Sequence, residues 1–248
     1  MTFNVRQMDG DDGDQSWPYR KDALCEVIRR CSPALLGTQE IFKEQSDYIL
    51  SNLPHYKCFG RGRFGDHRDK HNQVIYDATR MTLHDSGELW LSETPQVPGS
   101  MAWGIRRPRM IKWGRLGLAA GPQLLVMNTH FPYGKNADDA RLQSATLMLQ
   151  QIHSVNPKRL VVTGDFNAPP GSLVYSEMMR DLADSWPLAA RRIGPPGTVH
   201  GFGKFEGPRV DWVLQRGFHQ VLSAETVISK VDGLYPSDHY PVCAELAV

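Results

Sequence analysis

The chain lacks many of the features that decide functional assignments early. Its four cysteines, Cys25, Cys31, Cys58 and Cys243, form no C-x-x-C pair, and in 248 residues they make no disulfide framework. Reduced, partly buried thiols are expected. No apolar run approaches the length of a membrane span. The N-terminus runs from Met1-Thr-Phe-Asn-Val-Arg-Gln-Met8 into Asp9, Asp11, Asp12 and Asp14, with no basic stretch followed by an apolar one. A cytoplasmic location is expected, or a secreted or periplasmic one if a leader was removed. Stable membrane insertion and an obligate protein partner are not indicated, and a monomer is expected. The formal net charge of +1 gives no global electrostatic case for nucleic acid. No G-x-S-x-G, P-loop or reactive-cysteine context points to a covalent nucleophile. Internal repeats, low-complexity tracts and long linkers are missing too.

What is present describes an ordinary globular chain. Hydrophobic residues make up 41% and charged residues 22%, enough to bury a sizeable core, and a single domain over residues 1–248 is expected. Positive charge is local: Arg61 and Arg63, the run Arg106, Arg107, Arg109, Lys112 and Arg115, and the pair Arg191-Arg192. Such clusters are either solvated loops or anion sites. Helical periodicity covers Lys21 to Arg30, Ile41 to Leu53 and Leu173 to Leu182. The clearest helix starts at Asn136 as N-cap, with Asp138 and Asp139 in its first turn, and runs through Ile152. Strand-like runs cover Thr2–Arg6, Ala34–Thr38, Gln73–Tyr76, Leu89–Ser92, Leu124–Thr129, Leu160–Thr163, Val210–Leu214 and Val242–Leu246. This is not a strict βαβα alternation, so a doubly wound parallel sheet is disfavoured. Two packed sheets with helices outside fit better. Leu91 to Trp113, rich in Pro, Gly, Arg and Trp, reads as a long functional loop.

The strand-like runs carry polar residues where they should not be needed. Arg159-Leu-Val-Val-Thr-Gly-Asp-Phe-Asn167 ends a buried run with Asp165 and Asn167, whose side chains would point the same way on an extended backbone. Asn4 lies in the first run, Gln39-Glu40 follows the second, and His130 ends the Leu124 run with Asn128 on the same side. Asp211 sits among apolar neighbours, and Ser237-Asp238-His239 precedes the final run. Buried carboxylates are costly unless they are paired or bind a cation. Six such placements imply a shared site. Glu40, an amide oxygen and a further Asp form a hard oxygen-donor set that suits Mg²⁺ or Mn²⁺ rather than Zn²⁺. A His paired with a buried carboxylate is a proton-transfer unit, and a second His can donate to a developing phosphorane oxygen. Hydrolysis of a phosphate ester is the chemistry these residues suit.

Taken together the motifs resemble the endonuclease/exonuclease/phosphatase superfamily, the fold of pancreatic-type deoxyribonuclease and abasic-site endonucleases. The resemblance is carried, in family order, by Asn4-Val-Arg6, Leu-Gly-Thr-Gln-Glu40, Asn72-Gln-Val-Ile-Tyr76, Asn128-Thr-His130, Gly-Asp165-Phe-Asn167, Val-Asp211-Trp-Val and Ser-Asp238-His239-Tyr-Pro-Val. Asp85-Ser-Gly-Glu-Leu-Trp-Leu-Ser-Glu-Thr-Pro95 is similar to a small bacterial subgroup. The resemblance implies an α+β, four-layer αββα sandwich of two mostly antiparallel sheets packed face to face. It implies that Asn4, Glu40 and Asp238 hold one or two Mg²⁺ or Mn²⁺ ions, and that Asp165 and Asn167 position and deprotonate the attacking water. Asp211 would orient His239, and His130 would stabilise the transition state or protonate the leaving oxygen. Arg6, Asn72 and Arg109 are assigned to substrate binding. The expected substrate is a phosphodiester or phosphomonoester of a nucleic acid, a lipid headgroup or a small molecule. The alternative is a catalytically silent binding or scaffold domain on the same fold. One departure stands out. Relatives in the bacterial subgroup carry a Glu before the Asn72 motif that can support His130, whereas this chain reads Asp66-His67-Arg68-Asp69-Lys70-His71.

Overall fold

Runs buried on both faces belong inside a sandwich, and that is where a computed structural model, which describes residues 1–118, 121 and 123–247, puts them. The chain begins with β1 (Thr2–Asn4), α1 (Trp17–Cys31), β2 (Leu35–Gln39) and α2 (Lys43–Asn52). β3 (Tyr56–Phe59) and β4 (Val74–Asp77) follow, then the long pair β5 (Met81–Trp90) and β6 (Met110–Leu118). Next come β7 (Gln123–His130), α3 (Asp138–Val155), β8 (Leu160–Asp165) and α4 (Leu173–Met178). β9 (Ala183–Asp184), α5 (Ser185–Leu188), β10 (Arg191–Ile193), β11 (Asp211–Arg216), β12 (Gln220–Thr226) and β13 (Val242–Ala247) complete it.

Among the described residues the strands form two sheets, ordered β10-β12-β13-β1-β2-β4-β3 and β5-β6-β7-β8-β11-β9. Both are mixed. β1–β2, β10–β12 and β7–β8 are parallel, and the other neighbouring pairs are antiparallel. Val74, Leu116, Val126, Val161 and Val213 fill the space between the sheets. Leu24, Ile28 and Ile49 of α1 and α2 pack outside the first sheet on Phe3 and Leu36. Met148 and Ile152 of α3 pack outside the second on Val162 and Trp212. These are the four αββα layers expected. Among the described residues no helix is long and apolar enough to cross a membrane.

The sheets meet closely at Gly37, where a Cβ would lie 2.0 Å from Thr163 Oγ1 and 2.5 Å from Asn128 Oδ1. A buried polar bridge fills this point. Asn128 Nδ2 donates to Thr38 O at 2.8 Å, and its Oδ1 accepts from Gln39 Nε2 at 2.8 Å and from Thr163 Oγ1 at 3.0 Å. A fully paired network of this kind fixes register, so the strand ends of the two sheets are aligned. Asn128 is therefore a structural residue.

Three expectations need correction. Asn136 does not cap α3, whose N-cap is Ala137 with no side-chain bond; Asp138 and Asp139 do supply first-turn charge. The segment Leu91 to Trp113 divides, because β6 begins at Met110 and only residues 91–109 form loop. Lys112 accordingly leaves the basic cluster: it is fully buried, with Nζ 3.1 Å from Glu88 Oε1 on the neighbouring strand.

Candidate active site

Sheet register gathers the polar strand ends. In the parallel pair β7–β8, His130 stands opposite Asp165, and in the antiparallel pair β8–β11, Asp211 stands opposite Asp165. His130, Asp165 and Asp211 thus form a row across three neighbouring strands. In the other sheet Asn4 pairs with Gln39, so Glu40 is the first residue beyond β2. Ser237 Oγ donates to the carbonyl oxygen of Asn4 at 2.7 Å, which docks the segment carrying Asp238 and His239 beside β1. A cavity of about 920 Å³ opens here, lined in part by Glu40, His130, Asp165, Asn167, Asp238 and His239.

The backbone bends sharply where it leaves these strands. Arg6, Glu40 and Asn167 have φ of 55°, 60° and 50°. Asn tolerates that left-handed region, whereas for Arg and Glu it costs about 1–2 kcal/mol each. Strain of this sort collects at functional sites. It also revises the extended reading of Asp165 and Asn167. β8 ends at Asp165, the Asn167 backbone N–H donates to Asp165 Oδ1 at 2.9 Å, and Asn167 Nδ2 donates to the Phe131 carbonyl at 3.0 Å. The amide locks the turn while the carboxylate faces the cavity.

His239 Nδ1 lies 2.9 Å from Asp211 Oδ2, and Asp211 Oδ1 has no partner. Burial opposes the imidazolium, but Asp211, helped by Asp165 and Asp238, outweighs it and pushes His239 up to about 10. Burial, and then the like charge of Asp211, push the Asp165 carboxyl up. Its Oδ2 accepts from Asn4 Nδ2 at 3.0 Å and lies 3.4 Å from His130 Nε2. Burial, reinforced by Arg109 and Arg63, holds His130 well below the usual imidazole range and so neutral.

On the opposite side burial works against the Glu40 carboxylate. Lys70, whose Nζ is 3.2 Å from Glu40 Oε2, outweighs it together with His239 and Arg109 and holds Glu40 down at about 2. Arg6 is bound to Asp12 at 2.8 Å, with Nη1 3.6 Å from Asp238 Oδ2. Arg109 lines the cavity as expected, yet it is only 8% exposed and its Nη1 has no partner.

Two residues move out of the cavity lining. Asn72 is 2% exposed; with its amide oriented to satisfy both neighbours, it donates to the His71 carbonyl at 3.0 Å and accepts from the His130 N–H at 3.3 Å. It supports His130 from behind and does not itself line the cavity. Asn4 is likewise spoken for on both sides, by Asp165 and by the Arg6 N–H at 3.1 Å. Lys70, read as part of a polar loop, and Arg63, read within the Arg61–Arg63 basic cluster, also line the cavity. The fold of residues 60–72 turns both inward. Among the described residues the metal-ligating side chains gathered within 4.8 Å of one another are Asp165, Asp211 and His239. His239 and Asp211 are bonded to each other, so this group reads first as a proton relay. Glu40 and Asp238 are the carboxylates that remain.

Comparison with known proteins gives the family and the fold. Residues 1–239 match the model of the Endonuclease/Exonuclease/phosphatase family. A solved endonuclease/exonuclease/phosphatase from Bacteroides vulgatus superposes with a TM-score of 0.93 at 30% identity, covering 100% of this chain and 97% of that one. The mannosyl-6-phosphatase of Bacteroides thetaiotaomicron superposes with a TM-score of 0.92 at 27% identity, covering 100% and 98%. Carbon catabolite repressor protein 4 homolog 3 of Arabidopsis thaliana is 23% identical over 164 residues, which are 64% of this chain but only 35% of that protein.

Proposed function

The chain belongs to the endonuclease/exonuclease/phosphatase family, and on that premise we propose that it is a metal-dependent phosphoric ester hydrolase acting as one catalytic domain. The observation that carries the reading is the row His130–Asp165–Asp211 with His239 bonded to Asp211, facing Glu40 and Asp238 across one cavity. That arrangement offers a base, a charged imidazole and a carboxylate pair on three sides of a bound phosphate.

In this reading Asp165 accepts the proton of the attacking water. Asn4 and the Asn167 N–H hold its two oxygens in place. Asp211 fixes the tautomer and orientation of His239, whose Nε2 side donates to a non-bridging phosphate oxygen. His130, neutral and supported through its backbone by Asn72, donates to the same phosphate from the other side. Arg109 and Arg6 hold the substrate's negative charge.

The donor set fits a hard divalent cation. Glu40 is held ionised, Asp238 lines the same cavity, and both offer oxygen. Those two residues would hold Mg²⁺ or Mn²⁺, with Asn4 one bond further back than the sequence suggested. Such an ion supplies Lewis-acid stabilisation of phosphate charge. Substrate classes represented by the solved neighbours include a sugar phosphate, which fits a cavity of this volume better than a long polymer groove.

The test is cleavage of bis-p-nitrophenyl phosphate and p-nitrophenyl phosphate before and after EDTA. Metal-dependent release of nitrophenol, restored by Mg²⁺ or Mn²⁺ and less by Ca²⁺, is expected. Activity that survives exhaustive chelation overturns the metal assignment. No hydrolysis of any ester in a screen of DNA, RNA, lipid, nucleotide and sugar phosphates favours the silent-domain alternative.

A further inference from the structure

Two guanidinium groups in the cavity wall lack the anion their burial demands. Arg63 is 2% exposed and Arg109 is 8% exposed, and both line the cavity. Each has an Nη1 without a hydrogen-bond partner. Among the described residues neither forms an ion pair within 4.0 Å, unlike Arg6 with Asp12 or Lys70 with Glu40. Both are also rigidly placed. Trp90 Nε1 donates to the Arg63 carbonyl at 2.6 Å, the Arg63 N–H donates to the Lys70 carbonyl at 3.2 Å, and the Leu91 N–H donates to the Arg109 carbonyl at 2.7 Å.

A buried cation with no ion-pair partner is costly, and at Arg109 the neighbouring Arg63 adds to that cost. Burial, and then Arg63, push Arg109 down to about 9. Packing does not require this, because a Leu or Met would fill either position without the penalty. The carboxylates nearby are already engaged or out of reach: Glu40 faces Lys70, Asp165 faces Asn4 and His130, and Asp69 accepts from the Lys70 N–H and makes no ion pair with Arg63 within 4.0 Å. The missing partner is therefore an anion brought in from outside. A diester phosphate brings one negative charge to the reacting centre, while a phosphomonoester brings close to two and exposes three terminal oxygens. A planar fork binds two such oxygens at once.

We infer that Arg63 and Arg109 together bind the terminal oxygens of a phosphomonoester, which makes this chain a phosphatase rather than a diesterase. The inference rests on the reaction class proposed above and narrows it. In the step itself, the water oxygen bonds to phosphorus and the ester P–O bond breaks. One water proton passes to Asp165, the leaving oxygen takes up a proton, and the products are an alcohol and inorganic phosphate.

The experiment uses the full chain with Mg²⁺ and two readouts. The first is the ratio of kcat/KM for p-nitrophenyl phosphate to that for bis-p-nitrophenyl phosphate. The second is the affinity for inorganic phosphate by calorimetry, which needs no turnover. The wild-type ratio is expected to favour the monoester. Arg63→Met should lower that ratio by roughly tenfold or more and weaken phosphate binding by a similar factor, the size of one lost charge-assisted hydrogen bond. Arg63→Lys, which keeps the charge but loses the fork, should fall between. If Arg63→Met shows no cooperative thermal transition, Arg63→Lys and Arg109→Lys decide the matter by the same two measurements. A wild-type preference for the diester, an unchanged ratio in the variants, or unchanged phosphate affinity overturns the inference. If wild type hydrolyses neither ester yet binds phosphate through Arg63, the reaction class is wrong and the anion site stands.

Discussion

Lys70 Nζ sits 3.2 Å from Glu40 Oε2, and both side chains are largely buried. An internal ammonium thus competes with any metal ion for the Glu40 carboxylate. Lys70→Met should tighten Mn²⁺ binding by roughly tenfold, the scale of one nearby opposite charge. Glu40→Gln should weaken it and lower turnover. Calorimetric titration with Mn²⁺ checks both, and identical isotherms for wild type and the two variants would remove Glu40 from the metal site.

Asp165 is the proposed base, and Asp165→Asn removes its charge with little change of volume. Turnover should fall by about 10²–10⁴-fold, the usual contribution of a positioned base. Circular dichroism should show the fold intact. A variant keeping a tenth or more of wild-type kcat on a responsive ester would take Asp165 out of the catalytic set.

The 2.9 Å bond between Asp211 and His239 makes them one unit. Asp211→Asn and His239→Ala should each cost a large factor in kcat, and the double variant little more than the worse of the two. If the losses multiply in full, Asp211 is a buried structural acid and His239 works without it.

Away from the site, the Glu88–Lys112 pair is a stability element. Glu88 also binds Arg61 at 3.0 Å, and Lys112 is fully buried. Burial opposes the Glu88 carboxylate, but Arg61 and Lys112 outweigh it and hold it at about 2. Glu88→Gln strands the ammonium and should cost about 3–5 kcal/mol in urea unfolding. A depressed acid stabilises above its unfolded range and loses that contribution as pH falls through its folded value. The gap between wild type and Glu88→Gln should therefore be full above roughly pH 4.5 and close as pH drops toward 2. A gap that is constant across that window contradicts the pairing.

How much of this was legible beforehand varies with the physics involved. The αββα layering could be read because doubly buried runs such as Leu160–Thr163 and Leu124–Thr129 have few other places to go. Asp165, Asp211 and His239 stood out because acids and imidazoles at the ends of such runs are expensive unless used. β6 and β12 were not legible. Gly114 and Gly117 interrupt one, and Gln220, Leu222 and Ser223 leave the other half-exposed one strand in from the sheet edge. Nor could the sequence separate Arg63 from Arg61, two residues apart, of which one is buried and the other pairs with Glu88 at the surface. The left-handed turns at Arg6 and Glu40 left no trace either, since neither residue type favours that region.

The bonds that close the site span nearly the whole chain: Asn4 to Asp165 across 161 positions and Ser237 to Asn4 across 233. No fragment of the sequence can preassemble such a constellation, and topologies dominated by distant contacts fold slowly. After dilution from denaturant, the fluorescence of the six tryptophans together should recover before any hydrolysis returns. A lag between the two would time the closing of these distant contacts, among them the docking of the segment around Ser237 onto the end of β1.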